Sequence, residues 1–237
     1  MIESSKNCLN KKTTTEKKTD IIELENNKYF DNLNNVEDIV DIKDIINYIS
    51  TNLLSIIQEN KHMKKKPLKE NEPLYSKLIP ILSLEKYLIR IIKYTEAENN
   101  TIIFAYLYII KLIKSENFIL SLNNIYRLLL GSVVLAQKFL EDLKYNNSYY
   151  CQIGGMSLQE FNKIEYSLFI RLNYDVNIEK DQIAQVYKNI IKFKFNKINE
   201  NSENIQMNIN KICLNNSNIS FLSNLNISEK INNRVYL

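Results

Sequence analysis

The single histidine, His62, and the three cysteines, Cys8, Cys151 and Cys213, are the residues best suited to metal binding or nucleophilic catalysis. Their placement argues against both. His62 stands in a run of lysines, and the cysteines are far apart with no CxxC pair, so an N/S ligand set for a metal is not expected. A lone loop histidine gives no Cys–His or Ser–His pair either. Gly154-Gly155 lacks the preceding strand and wider glycine pattern of a phosphate loop, and reads as a helix–helix corner. No catalytic residue, metal or cofactor is therefore expected.

Two charged residues set against apolar neighbours are more informative. Lys138 lies one turn after Val134 and Leu135 and one turn before Glu141 and Asp142. Glu165 lies between Phe161 and Leu168, on the rim of an apolar stripe. One reading makes Lys138 half of a surface ion pair on its own helix, worth a few tenths of a kcal/mol. On that reading Glu165 pairs with a nearby lysine or reaches solvent. The other reading has two packed helices presenting a lysine and a carboxylate to a partner. The basic run KHMKKKPLK at 61–69 is either a solvated linker or a nuclear localisation signal or anionic contact.

The elements that would position these residues are helical. The 237 residues contain three Gly and three Pro, too few for the corners of a turn-dense β fold. A hydrophobic content of 45% supports a core, and a net charge of +4 spread over mixed signs makes no strong case for nucleic acid or a membrane. The odd, scattered cysteines point to a reduced intracellular compartment, cytoplasm and/or nucleus. The first twenty residues are too polar for a signal peptide, and the apolar run 102–110 is too short to span a bilayer.

Residues 1–34 are polar and expected to be disordered. From 35 to 58 isoleucines and leucines recur at spacings of three and four, which predicts an amphipathic helix, set as a 35–60 segment. Pro67, Pro73 and Pro80 break the chain over a 61–80 linker. A helix capped by Ser83 should then carry Leu84, Tyr87, Leu88, Ile91 and Ile92 on one side. The stretch 100–114 is apolar nearly all round and should be central. A third helix over 123–142 should bury Ile125, Leu128, Leu129, Val133, Ala136, Phe139 and Leu140.

Gly131, in the middle of that third helix, costs about 1 kcal/mol relative to Ala, which is reasonable only where another helix approaches closely. After a loop with a short helical turn at 148–152, Ser157-Leu-Gln-Glu160 reads as a capping box. It opens a helix whose stripe is Leu158, Phe161, Ile164, Leu168 and Leu172. A last helix is expected over 179–194, and an Asn-rich, mostly disordered tail over 199–237. The sum is an all-α domain of about five helices preceded by one amphipathic helix.

The runs LNNIYRLLLGSVVLAQKFLED and YNNSYYCQIGGMSLQEFNKIEYSLFIRLNYDVNI resemble the cyclin box of P/U-type cyclins, the group that includes the yeast phosphate-response cyclins. Matching residues include Asn124, Arg127, Ala136, Lys138, Phe139, Asp142, Gly154, Gly155, Glu160, Asn162 and Glu165. Upstream, SLEKYLIRIIKY resembles the first box helix, and the likeness covers roughly 80–180. It implies a single cyclin box, a five-helix bundle over 81–198 with an extra N-terminal helix. It also implies a regulatory protein, not an enzyme, that binds and activates a cyclin-dependent protein kinase as a heterodimer. Lys138 and Glu165 are then the kinase-contact residues.

Some positions depart from the family pattern. Tyr126 replaces the usual His, and Ile110 stands where an acidic partner for Arg90 is usual. Lys93 and Glu96 fall where a substrate-docking patch would need apolar groups. The alternative functions are a cyclin-fold nucleic-acid-binding module and a helical adaptor without a kinase partner.

Overall fold

The computed structural model describes residues 40–61, 72–115, 118–142 and 145–215. All regular structure among them is helical: α1 Ile42–Asn60, α2 Leu84–Thr95, α3 Asn99–Ser115, α4 Ile125–Leu140, α5 Asn147–Gly154, α6 Leu158–Arg171 and α7 Lys180–Asn215. The chain divides into two units, Met1–Lys192 and Phe193–Leu237. The expectations for 1–34, for residues 35–39 of the N-terminal helix, for most of the basic run and for the end of the tail from 216 lie outside the described residues.

The core of the first unit is built on α3 and α4. Because α3 is apolar on every face, it is stable only when covered all round, and residues 101–109 are all buried. Residues 128–137 of α4 are buried as well. α4 packs on α3 and α6 and touches α2 and α5.

The amphipathic α1 lays Ile45, Ile46, Ile49, Leu53 and Ile57 against this body, over α2 and α3. Each such side chain contributes roughly 2 kcal/mol on burial. Polar contacts set its register: Tyr106 Oη donates to Asn52 Oδ1 at 2.8 Å, and Asn60 Nδ2 donates to the Leu120 carbonyl at 3.0 Å.

Local chemistry sets the helix ends. Ser83 Oγ accepts from the Lys86 N–H at the start of α2. The capping box of Ser157 and Glu160 forms at the start of α6, as its sequence spacing predicts. The turn expected at 148–152 is a full helix, α5, because Asn146 caps it and Gly155 ends it in the left-handed region at φ 65°.

Three side chains expected inside are exposed. Phe139 and Leu140 sit 47% and 40% exposed because α4 stops there. Glu141 leaves the helix extended, at ψ 153°, and reaches toward α3. Leu158, 43% exposed, is the first residue of α6, ahead of the turn where Phe161 enters the core.

The last helix also runs well beyond 194, to Asn215, into the segment read as tail. No Gly or Pro interrupts 180–215, Lys favours a helix, and Asn and Ser tolerate one. In the second unit Lys197 Nζ lies 5.6 Å from the Phe193 ring centroid.

Candidate functional site

The position of Lys138 follows from a glycine. At Gly131 α4 comes so close to α6 that an added Cβ would lie 3.0 Å from Ile164 Cγ2. Lys138 is two turns further along α4, on nearly the same face, and Glu165 follows Ile164. The close approach that Gly131 permits therefore brings the lysine and the carboxylate together. Lys138 also lies in the last turn of α4, where the helix dipole favours a cation.

The two side chains form an ion pair, with Lys138 Nζ donating to Glu165 Oε1. Asn147, the first residue of α5, closes a ring with them. Its Oδ1 accepts from Lys138 Nζ at 2.8 Å, and its Nδ2 donates to Glu165 Oε2 at 2.8 Å. The same amide also donates to Asn162 Oδ1 at 2.8 Å. The lysine and glutamate side chains are 27% and 18% exposed, so the ring sits at the surface without being fully solvated. Exposed Phe139 and Leu140 follow Lys138, and exposed Tyr166 follows Glu165. Polar groups beside apolar ones suit a protein interface.

The intrahelical alternative for Lys138 is thereby decided at Glu141. That carboxylate is turned the other way, where Oε1 accepts from the Glu98 N–H at 3.1 Å and from Thr101 Oγ1. Its Oε2 accepts from Gln137 Nε2 at 2.8 Å. Gln137, buried, also donates to the Thr95 carbonyl and accepts from Tyr150 Oη at 3.0 Å. Burial, with the charge of Glu141 next in weight, pushes the Tyr150 phenol up to about 12. A second polar network thus ties α2, α3, α4 and α5 together.

The other motif residues are structural in this fold. Tyr126 Oη donates to the Leu82 carbonyl at 2.8 Å, and its ring meets Tyr87 edge-on at 5.1 Å. Arg90, without an acidic residue at 110, donates to the Ile153 carbonyl at 3.1 Å and lies 5.5 Å from the Tyr94 ring centroid. Arg127 donates to the Pro73 carbonyl and pairs with Glu160 at 3.1 Å.

Sequence reading missed Asn147. In an asparagine-rich chain its only local signal is its place at the start of a helix, and its partners lie on two other elements. Among the described residues no group of three His, Cys, Asp or Glu could hold a metal ion, and no helix is long and apolar enough to cross a membrane. Cys151 is a buried free thiol.

A family model described as Cyclin matches residues 2–176. Cyclin-U4-3 of Arabidopsis thaliana is 34% identical over 100 residues, 42% of this chain and 46% of that protein. PHO85 cyclin-like protein psl1 of Schizosaccharomyces pombe is 31% identical over 118 residues, 49% of this chain and 48% of that protein. Cyclin-P3-1 of Oryza sativa subsp. japonica is 32% identical over 100 residues, 42% of each. The chain spans about half the length of the curated relatives it matches. These names bear out the resemblance to P/U-type cyclins, and the family match reaches further toward the N-terminus than the 80–180 stretch that carried it.

Proposed function

This chain belongs to the cyclin family, and on that premise we propose that it binds and activates a cyclin-dependent protein kinase. The kinase contacts the edge where Lys138 and Glu165 meet. The observation that carries this reading is the pairing of those two residues across α4 and α6, part-exposed and beside Phe139, Leu140 and Tyr166. The mechanism is positional. Docking presses the regulatory helix of the kinase inward, so that its glutamate pairs with the ATP-positioning lysine, and orders the activation segment. The regulator supplies surface and no reacting group. It works in the cytoplasm, the nucleus or both.

Affinity capture of the full chain followed by mass spectrometry tests this. It should recover a cyclin-dependent kinase, and that kinase should phosphorylate a generic peptide faster when the chain is added. Lys138→Glu should weaken the complex by about 2 kcal/mol, or roughly 30-fold. Recovery of no kinase would leave a helical adaptor. Salt-dependent retention of DNA in a gel shift would instead favour the nucleic-acid-binding alternative.

A further inference from the structure

We propose that Asn147 is a positioning residue that holds Lys138 and Glu165 in their partner-facing arrangement. The inference rests on the kinase-contact reading of those two residues.

A carboxamide offers one acceptor oxygen and two N–H donors, so it can serve a cation and an anion at once. Asn147 does so: Oδ1 takes Lys138 Nζ, and Nδ2 serves Glu165 Oε2 and Asn162 Oδ1. No other side chain of this size matches both partners. An aspartate would repel Glu165, and an aliphatic side chain would leave both partners short of a bond.

Lys138 has an alternative in Asp142, exposed, four residues on and just past the end of α4. A pair to that exposed carboxylate and the cross-helix pair differ by little in Coulomb energy, and both are weak. The bonds from Asn147 tip the balance toward Glu165. They join three helices at one ammonium group, since α5 supplies Asn147 while α4 and α6 supply the ion pair. Asn146, the cap of α5, fixes where that helix begins and so where its first side chain stands: its Oδ1 accepts from the Tyr149 N–H at 3.1 Å.

The ring also sets what is offered outward. An ammonium group has three donors. Among the described residues two acceptors hold it, Asn147 Oδ1 and Glu165 Oε1, and its charge is balanced by Glu165. A partner therefore meets a near-neutral, oriented donor, and not a mobile cation. Ordering it beforehand removes a side-chain entropy cost from association.

The test is a double-mutant cycle on the full chain with the captured kinase, joined to a measurement on the free protein. Asn147→Ala should weaken kinase binding about tenfold when Lys138 is present. In a Lys138→Met background the same change should add less than about twofold. A purely structural role would weaken both backgrounds equally and overturn the inference. In the free protein, the 1H–15N signal of the Lys138 ammonium group should be visible through slow exchange and lost in Asn147→Ala. An unchanged signal would also overturn it. If Lys138→Met alone leaves kinase binding intact, the contact reading itself fails, while the ammonium signal still decides whether Asn147 orders Lys138. Circular dichroism of each variant confirms that the helices persist.

Discussion

Gly131 of α4 and Ile164 of α6 touch so closely that a methyl group at 131 would have its carbon 3.0 Å from Ile164 Cγ2. This contact sets the spacing of the two helices that carry Lys138 and Glu165. It makes a graded prediction. Gly131→Ala exchanges a propensity gain of about 1 kcal/mol against a slight crowding of Ile164, so the net change in stability should stay within about 1 kcal/mol. Gly131→Leu should destabilise by roughly 1–3 kcal/mol because α6 must move away. Urea denaturation measures both, and a neutral Gly131→Leu would mean that the helices are not in contact there.

Gly155 is needed for a different reason. It ends α5 at φ 65°, with open space where a Cβ would stand. Gly155→Ala should therefore cost about 1–2 kcal/mol through backbone conformation alone. Gly155→Asn, which tolerates the left-handed region, should cost less. Equal losses in thermal melts of the two variants would argue for a steric cause instead.

Leu53 tests whether α1 belongs to the same cooperative body as the helices after it. The side chain is fully buried against α2 and α3. Leu53→Ala should cost roughly 2–5 kcal/mol and shift a single unfolding transition. Loss of α1 helicity in a separate, earlier transition would mean that α1 is an independent appendage.

Glu141 and Asp142 are adjacent acids with unequal roles. Glu141 accepts from the Glu98 N–H, Thr101 Oγ1 and Gln137 Nε2, whereas Asp142 is exposed. Glu141→Ala should destabilise by about 1–3 kcal/mol. Asp142→Ala should change stability by no more than about 0.5 kcal/mol. Hydrogen exchange at the start of α3 should accelerate in the first variant only.

Glu160 gives the acid dependence. Its carboxyl is held below its ordinary value of 4.5, first by the Ser157 N–H, then by the Ser157 hydroxyl, with Arg127 adding to both. A carboxyl lowered in the folded state stabilises the fold above its unfolded pKa. That contribution is lost as pH falls through the folded pKa. Glu160→Gln should thus be less stable than the unmodified chain near neutrality, with the gap closing below about pH 4. A gap that persists undiminished at about pH 2.5 would show that charge is not its origin.

The α class, the order of the helices and most of their starts were legible in the sequence because they rest on local chemistry. Ser83 and the Ser157–Glu160 box bond within their own first turns, and the stripes Leu84, Tyr87, Leu88, Ile91 and Phe161, Ile164, Leu168 follow the helical period. The same logic failed where neighbours end. Phe139, Leu140 and Leu158 keep the period yet lie outside, since burial depends on whether another element extends that far. The end of α7 was missed because weak periodicity does not stop a helix that contains no breaker.

For the site, the sequence by itself determined the residue types and the elements on which Lys138 and Glu165 sit. It left open whether the lysine pairs along its own helix, and whether Glu165 pairs with a nearby lysine or reaches solvent. Only the tertiary structure decided these. Packing at Gly131 fixes the distance between α4 and α6, Glu141 is drawn away to the start of α3, and Asn147 arrives from α5 to bond both charges. Each of those contacts joins residues of different elements. Helical periodicity reports which face a residue occupies, but it carries no information about which other helix comes to meet it.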